Sequence, residues 1–286
     1  MTKSPGDLVV ALLLGALSVI LWFQPLAETW TLAFTNERYT HLLLILPIAL
    51  ALIGYSVQRT ESGWTGRAQA VVLLLVALLL WAFSRWGNLA LGTDYRLTVA
   101  MAGLVVWWIG CFVLGLGKSA WQVYRFQLLF LLWIVPLPSV VVDEIVRGLQ
   151  HGSAVTAQLL FEIVGTPTTR EGSSLFLPGL ELDVGAECSS IRSSMMLFVT
   201  TTLLAFVFLR TRWRRWLTVL LAVPIAIAKN GVRIATIGTL GTRVDPSYLT
   251  GRLHREGGIV FLSLALAAVC GIVWILRRKE DSANTL

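Results

Sequence analysis

Long apolar runs separated by short polar or charged segments make up most of this chain. An α-helix needs about 20 predominantly apolar residues to cross the hydrocarbon core of a bilayer. On that criterion the pattern predicts eight helices. Their cores lie near Leu8–Phe23, Leu42–Val57, Ala70–Phe83, Val99–Leu116, Phe126–Val142, Ser193–Leu209, Trp216–Leu240 and Ile259–Leu276. Ala70–Phe83 is short and must borrow flanking residues. Phe126–Val142 carries Pro136 and Pro138, which should kink or end it. The first run lacks a small-x-small cleavage site, so it is expected to remain as a span rather than to be removed as a leader.

Val140–Arg192 is the longest stretch outside these runs. From Asp143 to Ile163 polar and apolar residues alternate at helical spacing. Val146, Leu149, Val155, Leu159 and Ile163 are expected to form one apolar stripe on an amphipathic helix lying at the membrane interface. Gly165-Thr166-Pro167 should break that helix. Ser174–Val184 then alternates with period two around Pro178-Gly179, which predicts a small hairpin. The expected fold is an all-α polytopic membrane protein of about eight transmembrane helices, with this interfacial helix and hairpin preceding Cys188. No internal repeat or second domain is visible, so residues 1–286 are read as a single integral-membrane domain.

Composition agrees with the pattern. The chain is 56% hydrophobic and only 14% charged, where soluble domains have about 25% charged residues. The net charge of +7 needs no nucleic acid to explain it, because lysines and arginines gather at membrane-proximal turns. Trp22, Trp30, Trp64, Trp86, Trp121, Trp213 and Trp216 fit interfacial belts. With alternating loops, one side carries 12 basic and 4 acidic residues and the other 11 basic and 12 acidic. The sharpest clusters, Arg210–Arg215 and Arg277-Arg278-Lys279, mark the first side as cytoplasmic. Both termini are then cytoplasmic, and Cys188, Lys229 and His254 share the outer face.

The candidate chemistry sits in three polar stretches at the ends of apolar runs. The first is Gly185-Ala186-Glu187-Cys188-Ser189-Ser190-Ile191-Arg192. A thiol at a helix N-terminus meets free N–H groups and the positive end of the dipole, and both favour the nucleophilic thiolate. Ser189 and Ser190 are good N-cap residues. Glu187 opposes the thiolate unless an arginine neutralises it. The plainer reading is that Cys188 is only a small residue at a helix start. Cys111 and Cys270 lie inside apolar runs, where packing explains them.

The second stretch is Lys229-Asn230-Gly231-Val232-Arg233. Trp216–Ala228 is too short to span, so the helix must continue through these charges. A charge inside a span costs at least about 2.5 kcal/mol near the centre and therefore usually faces a protein interior or a water-filled site. Asn230 and Arg233 are three apart and share a face. Snorkelling to the headgroups is the competing reading. It suits Lys229 better than Arg233, which Ile234, Ala235, Ile237 and Leu240 follow. The third stretch, Leu253-His254-Arg255-Glu256-Gly257-Gly258, offers a histidine that titrates near neutrality, although a lone loop histidine is often incidental. No metal-binding constellation, nucleophile elbow or phosphate-binding glycine loop is present, so no cofactor is expected.

Taken together and in order, these stretches resemble the exosortase/archaeosortase family. The matching positions are Gly165-Thr166-Pro167, Glu171-Gly172, Leu177-Pro178-Gly179, Val184, Glu187-Cys188-Ser189, Ile191-Arg192, Asn230-Gly231-Val232-Arg233-Ile234 and His254-Arg255-Glu256-Gly257. The motifs cover the C-terminal half, and the first four spans match only in hydropathy. Ser190 departs from the glycine more usual there, which removes no chemical group. The resemblance implies a multi-pass cysteine transpeptidase of the cell inner membrane. Its substrates would be exported proteins with a C-terminal tripartite tail: a Pro-Glu-Pro-like motif, a hydrophobic span and a basic end. It implies Cys188 as nucleophile, Arg233 as the catalytic arginine and His254 as the third member. Glu187, Ser189, Arg192 and Asn230 are supporting positions. The acceptor nucleophile stays open, and membrane lipids are the surrounding partner. Competing classes are a lipid- or glycan-modifying membrane enzyme, a transporter and a non-catalytic assembly factor.

Overall fold

A computed structural model describes residues 5–55, 66–86, 92–184, 191–249 and 257–283. Among these, ten α-helices and one small sheet are found, and the Cα positions cluster into two compact units, Met1–Val141 and Val142–Leu286. Six helices are long and apolar enough to cross a membrane: Glu37–Tyr55, Arg67–Trp86, Thr93–Leu116, Ile191–Phe208, Arg212–Arg243 and Gly258–Ser282. The number becomes eight when the broken pairs Gly6–Leu21 with Phe23–Thr35, and Ser119–Ile134 with Ser139–Ile163, each count as one span. The polytopic all-α expectation therefore holds, but one expected continuous helix, Phe126–Val142, does not, and the helix Phe23–Thr35 after the first span was not expected.

In the first unit, α1 (Pro5–Leu21) is followed by α2 (Phe23–Thr35) after a bend of 67°. Pro25 explains the break. It has no N–H to give to the Leu21 carbonyl four residues back. The Trp81 indole donates to that carbonyl instead, at 3.0 Å. Trp22, at the corner, is fully buried. Its Nε1 donates to the Ala100 carbonyl at 2.7 Å, and its ring lies 5.5 Å from that of Trp107. A corner that satisfies the Leu21 carbonyl and the buried Trp22 indole costs little. The following helices are α3 (Leu42–Tyr55), α4 (Arg67–Trp86) and α5 (Thr93–Leu116). The last two pack closely because Gly103 and Gly110 present no side chain to Ala77 and Leu74. Small residues at such seams let helix backbones approach where lipid supplies no hydrophobic drive.

The expected Phe126–Val142 span is not one helix. The helix α6 (Lys118–Phe130) passes into a 3₁₀ turn at Leu131–Ile134, and α7 (Ser139–Ile163) begins afresh after Pro138. The two prolines of Pro136-Leu137-Pro138 account for the interruption.

In the second unit, α7 packs on the long helix α9 (Arg212–Arg243). Its buried side is Val142, Val146, Leu149, Ser153, Ala154, Ala157 and Phe161. The expected stripe is thus half correct: Val146 and Leu149 are buried, whereas Leu159 and Ile163 are exposed. The small residues of α7 face inward because α9 approaches closely there. A Cβ on Gly231 would sit 2.5 Å from Thr156 Cβ, and one on Gly238 would sit 2.6 Å from the Phe161 ring. Against both helices packs an antiparallel meander of β1 (Thr169–Glu171), β2 (Ser174–Leu177) and β3 (Leu180–Asp183), in that order. The hairpin expected at Ser174–Val184 is present. Pro178 and Gly179 form its two-residue turn, and Gly179 has φ +78°, which glycine adopts without strain. Leu175, Leu177 and Val184 point into a core with Ala154, Ala157, Phe161, Ile234 and Ala235. Strand β1 was not expected, since Thr169-Arg170-Glu171 has no hydrophobic signal.

Helix α8 (Ile191–Phe208), α9 and α10 (Gly258–Ala283) form the rest of the unit. They are tied at one end by Glu280, which is 5% exposed. Its two carboxylate oxygens accept the backbone N–H groups of Arg210 and Thr211 at 2.9 Å each. Thr211, the N-cap of α9, makes no side-chain cap of its own. Arg214 adds a donation to the Leu276 carbonyl at 2.8 Å and lies 3.9 Å from Glu280. A carboxylate on the positive end of a helix is favourable twice over, through the dipole and through otherwise orphaned donors.

Two outcomes test this packing by thermal unfolding of the detergent-solubilised protein. Glu280→Ala leaves the backbone N–H groups of Arg210 and Thr211 without their acceptor and should cost about 1–2 kcal/mol. Gly231→Ala gains about 1 kcal/mol of helix propensity, but the clash with Thr156 should cost about 1–3 kcal/mol. We expect a net loss, and a rise in Tm would contradict the α7–α9 contact.

Candidate active site

The Glu280 knot fixes which ends of the three helices lie together. Arg214 reaches Leu276 across α9 and α10, and the Arg215 Nε donates to the Leu209 carbonyl at 2.7 Å. From that level, Ile191 is 18 residues away along α8, Arg233 is 19 along α9 and Gly258 is 18 along α10. Each separation is about 27–29 Å at helical rise. A second tie checks the register of α8 and α9. The Lys229 ammonium donates to Ser193 Oγ. Lys229 is 15 residues beyond Arg214, and Ser193 is 16 before Leu209, as an antiparallel pair requires. The start of α8, the Lys229–Arg233 turn of α9 and the start of α10 therefore share one end of the bundle.

Polar groups are concentrated at that end. Lys229 is 7% exposed, Asn230 0% and Arg233 8%. Helix α9 runs unbroken through all three, as the length argument required. Lys229 and Arg233 are one turn apart on the same face, and Asn230 lies on the adjoining side. Lys229 does not snorkel. Its side chain turns inward onto α8, because Ser193 offers an acceptor there and Gly231 lets α7 close over the neighbouring face. Ser194 on α8 and Ser153 on α7 are also buried, and their hydroxyls have no hydrogen-bond partner among the described residues. Arg192, in the first turn of α8, is exposed and is not part of this buried group.

Cys188, Glu187, Ser189 and His254 lie outside the described residues. The chain around them is nonetheless bounded. Val184 and Ile191 flank the first three, and Leu249 and Gly257 flank His254. Leu249 ends a 3₁₀ turn, Pro246–Leu249, that folds back on α9, where a Cβ on Gly241 would meet its side chain at 2.5 Å. Just before that turn, the Ser247 N–H donates to Asp245 Oδ1 at 2.7 Å and holds that carboxyl below its usual range.

The remaining candidates are dispersed. Cys111 is buried in α5, whereas Cys270 is exposed on α10 and so does not pack as the sequence suggested. His151 is exposed on α7, and His41 is buried in the first unit. Asp143 and Glu144 are exposed on α7, and Glu144 pairs with Arg147 one turn on. Among the described residues, no group of three or more His, Cys, Asp and Glu side chains is disposed to hold a metal ion. Sequence reasoning missed Ser193 and misjudged Lys229. Only the predicted antiparallel pairing of two long helices could have brought these two positions together.

A protein-family model described as a transmembrane exosortase matches residues 30–271 of the chain. No curated protein and no solved structure is significantly similar to it.

Proposed function

Because the chain belongs to the transmembrane exosortase family, we propose that it is a membrane-embedded cysteine transpeptidase that processes exported proteins at their C-terminal sorting tails. The observation that carries this reading is the position of Arg233. A guanidinium in a membrane span is buried at the one bundle end where α8 and α10 both begin. Cys188 precedes Ile191 by three peptide units, and His254 precedes Gly257 by three. Each tether is at most about 11 Å of chain. These lengths support a common pocket for sulfur, guanidinium and imidazole.

The reaction then follows from the groups. The Cys188 thiolate attacks the scissile carbonyl carbon, and the carbonyl oxygen takes up negative charge. Arg233, a fixed cation in a dry surrounding, stabilises that oxyanion. As the tetrahedral centre collapses, the C–N bond breaks and His254 donates a proton to the departing amine of the tail. A thioester remains on Cys188. An acceptor nucleophile loses its proton to His254, attacks the thioester and frees the thiolate. A lipid- or glycan-linked amine or water would serve, and the first half-reaction is the same for each.

The supporting residues have physical tasks in this scheme. Ser189 adds a hydroxyl next to the nucleophile in sequence. Glu187 and Arg192 set the charge around the thiolate with opposite signs. Asn230, fully buried beside Arg233, supplies an amide to the oxyanion or to the guanidinium. The tail's hydrophobic span would lie among the helices, which brings its motif to the outer interface. The arginine cluster Arg210–Arg215 at the opposite end supports a cytoplasmic placement of the knot. The site then faces outward from the inner membrane, and both termini are cytoplasmic.

The test is co-expression of the chain with an exported protein that ends in a Pro-Glu-Pro motif, one apolar run and arginines. Cys188→Ala should accumulate unprocessed substrate in the membrane, while wild type yields the shortened product. Full processing by that variant would remove the nucleophile assignment. Arg233→Lys should slow processing at least about 100-fold, because a point charge does not reproduce a planar fork of donors. Wild-type rates with lysine would contradict the oxyanion role.

A further inference from the structure

Lys229 has no task in that mechanism, yet it is the least expected feature of α9. The residue is 7% exposed, and its ammonium donates to Ser193 Oγ on the neighbouring helix. Burying an ammonium between two helices brings little stability, since desolvation offsets what the contact returns. A well-packed apolar side chain of similar length would hold α8 and α9 together about as well. What a lysine adds is direction. The ammonium donates to a single described acceptor, so it selects one register and one rotation of α8 against α9.

The place it selects is informative. Ser193 is the third residue of α8, and Arg233 is one turn beyond Lys229 on the same face of α9. The contact therefore fixes the turn from which the chain runs back toward Cys188, beside the turn that carries the guanidinium. We propose that Lys229 is a positioning residue: by donating to Ser193 it holds the first turn of α8 in a set register against the Arg233 turn of α9. The proposal rests on the transpeptidase reading above, in which the segment preceding α8 carries the nucleophile. It assigns Lys229 no contact with substrate. It also accounts for an apparently wasteful buried charge as a device for specificity rather than for stability.

The test uses the full-length protein in membranes with a tail-bearing substrate, and reads turnover and thermal stability together. Lys229→Met should lower turnover about 100-fold, the size expected when reacting groups are misplaced by about an ångström. Its Tm should be unchanged or higher. Ser193→Ala, a small change that keeps the fold, should cause a comparable loss, and the double variant should be no worse than either single one. Ser193→Thr, which keeps the hydroxyl, should retain activity. Wild-type turnover in Lys229→Met or Ser193→Ala would overturn the proposal. So would losses that multiply in the double variant, or a loss of activity in Lys229→Met matched by a fall in its Tm; Ser193→Ala leaves the ammonium without its acceptor and is itself expected to lower Tm. Cys188→Ala is run in parallel. If it still processes substrate, the underlying transpeptidase reading fails and this proposal goes with it. If it is inactive while Lys229→Met is fully active, only the positioning role fails.

Discussion

The geometry of the C-terminal unit depends on one buried carboxylate. Glu280, near the end of α10, accepts two backbone N–H groups at the start of α9 and is flanked by Arg214. Helix α9 has no side-chain cap of its own at Thr211, so its first turn relies on a residue about 70 positions away in sequence. One contact thus satisfies orphaned donors, complements the helix dipole and sets the level of three helices. Once the level is set there, helical rise alone determines what meets at the other end.

What meets there is costly to bury, which gives the unit two ends of different character. At the knot, charge is neutralised by charge and by backbone. At the far end, Lys229 and Arg233 put two cations on one face of a membrane helix, with fully buried Asn230 alongside. A span has strong reasons to avoid such residues. Their inward placement, under the close approach of α7 that Gly231 permits, sets this chain apart from a passive membrane anchor. The small sheet adds to the same end by carrying the chain from the α7–α9 core to Val184, seven residues before α8 begins.

Much of this was legible in the sequence, for identifiable reasons. Apolar runs of bilayer length report spans directly, because the backbone in lipid has little choice but to form helix. Pro178-Gly179 between alternating residues reports a hairpin because few other residues fit that turn. The misses also have causes. Helix α2 is polar on one side and begins with a proline in its first turn, so hydropathy alone passes over it. Beyond Leu149 the inward face of α7 runs through Ser153, Ala154 and Ala157 to Phe161, small residues standing where its partner approaches closely with glycine. A stripe chosen for size therefore points the wrong way beyond Leu149. Strand β1 carries no apolar pattern and is held by pairing with β2 and by the Arg170 side chain, which donates to Gln158 on α7. For the site, burial of Asn230 and Arg233 followed from the cost of charge in a span, whereas the inward turn of Lys229 depended on an acceptor supplied by another helix.

The central claim is that the segments before α8 and α10 converge on the Arg233 turn. It is tested most directly by chemical proximity in native membranes. Cys111 and Cys270 are replaced by serine, His254 by cysteine, and the protein is treated with a short bis-maleimide before mass spectrometry of its peptides. A parallel sample with cysteines at 193 and 229 serves as the positive control. The account predicts a cross-link between positions 188 and 254. A clear 193–229 link with none between 188 and 254 would contradict it.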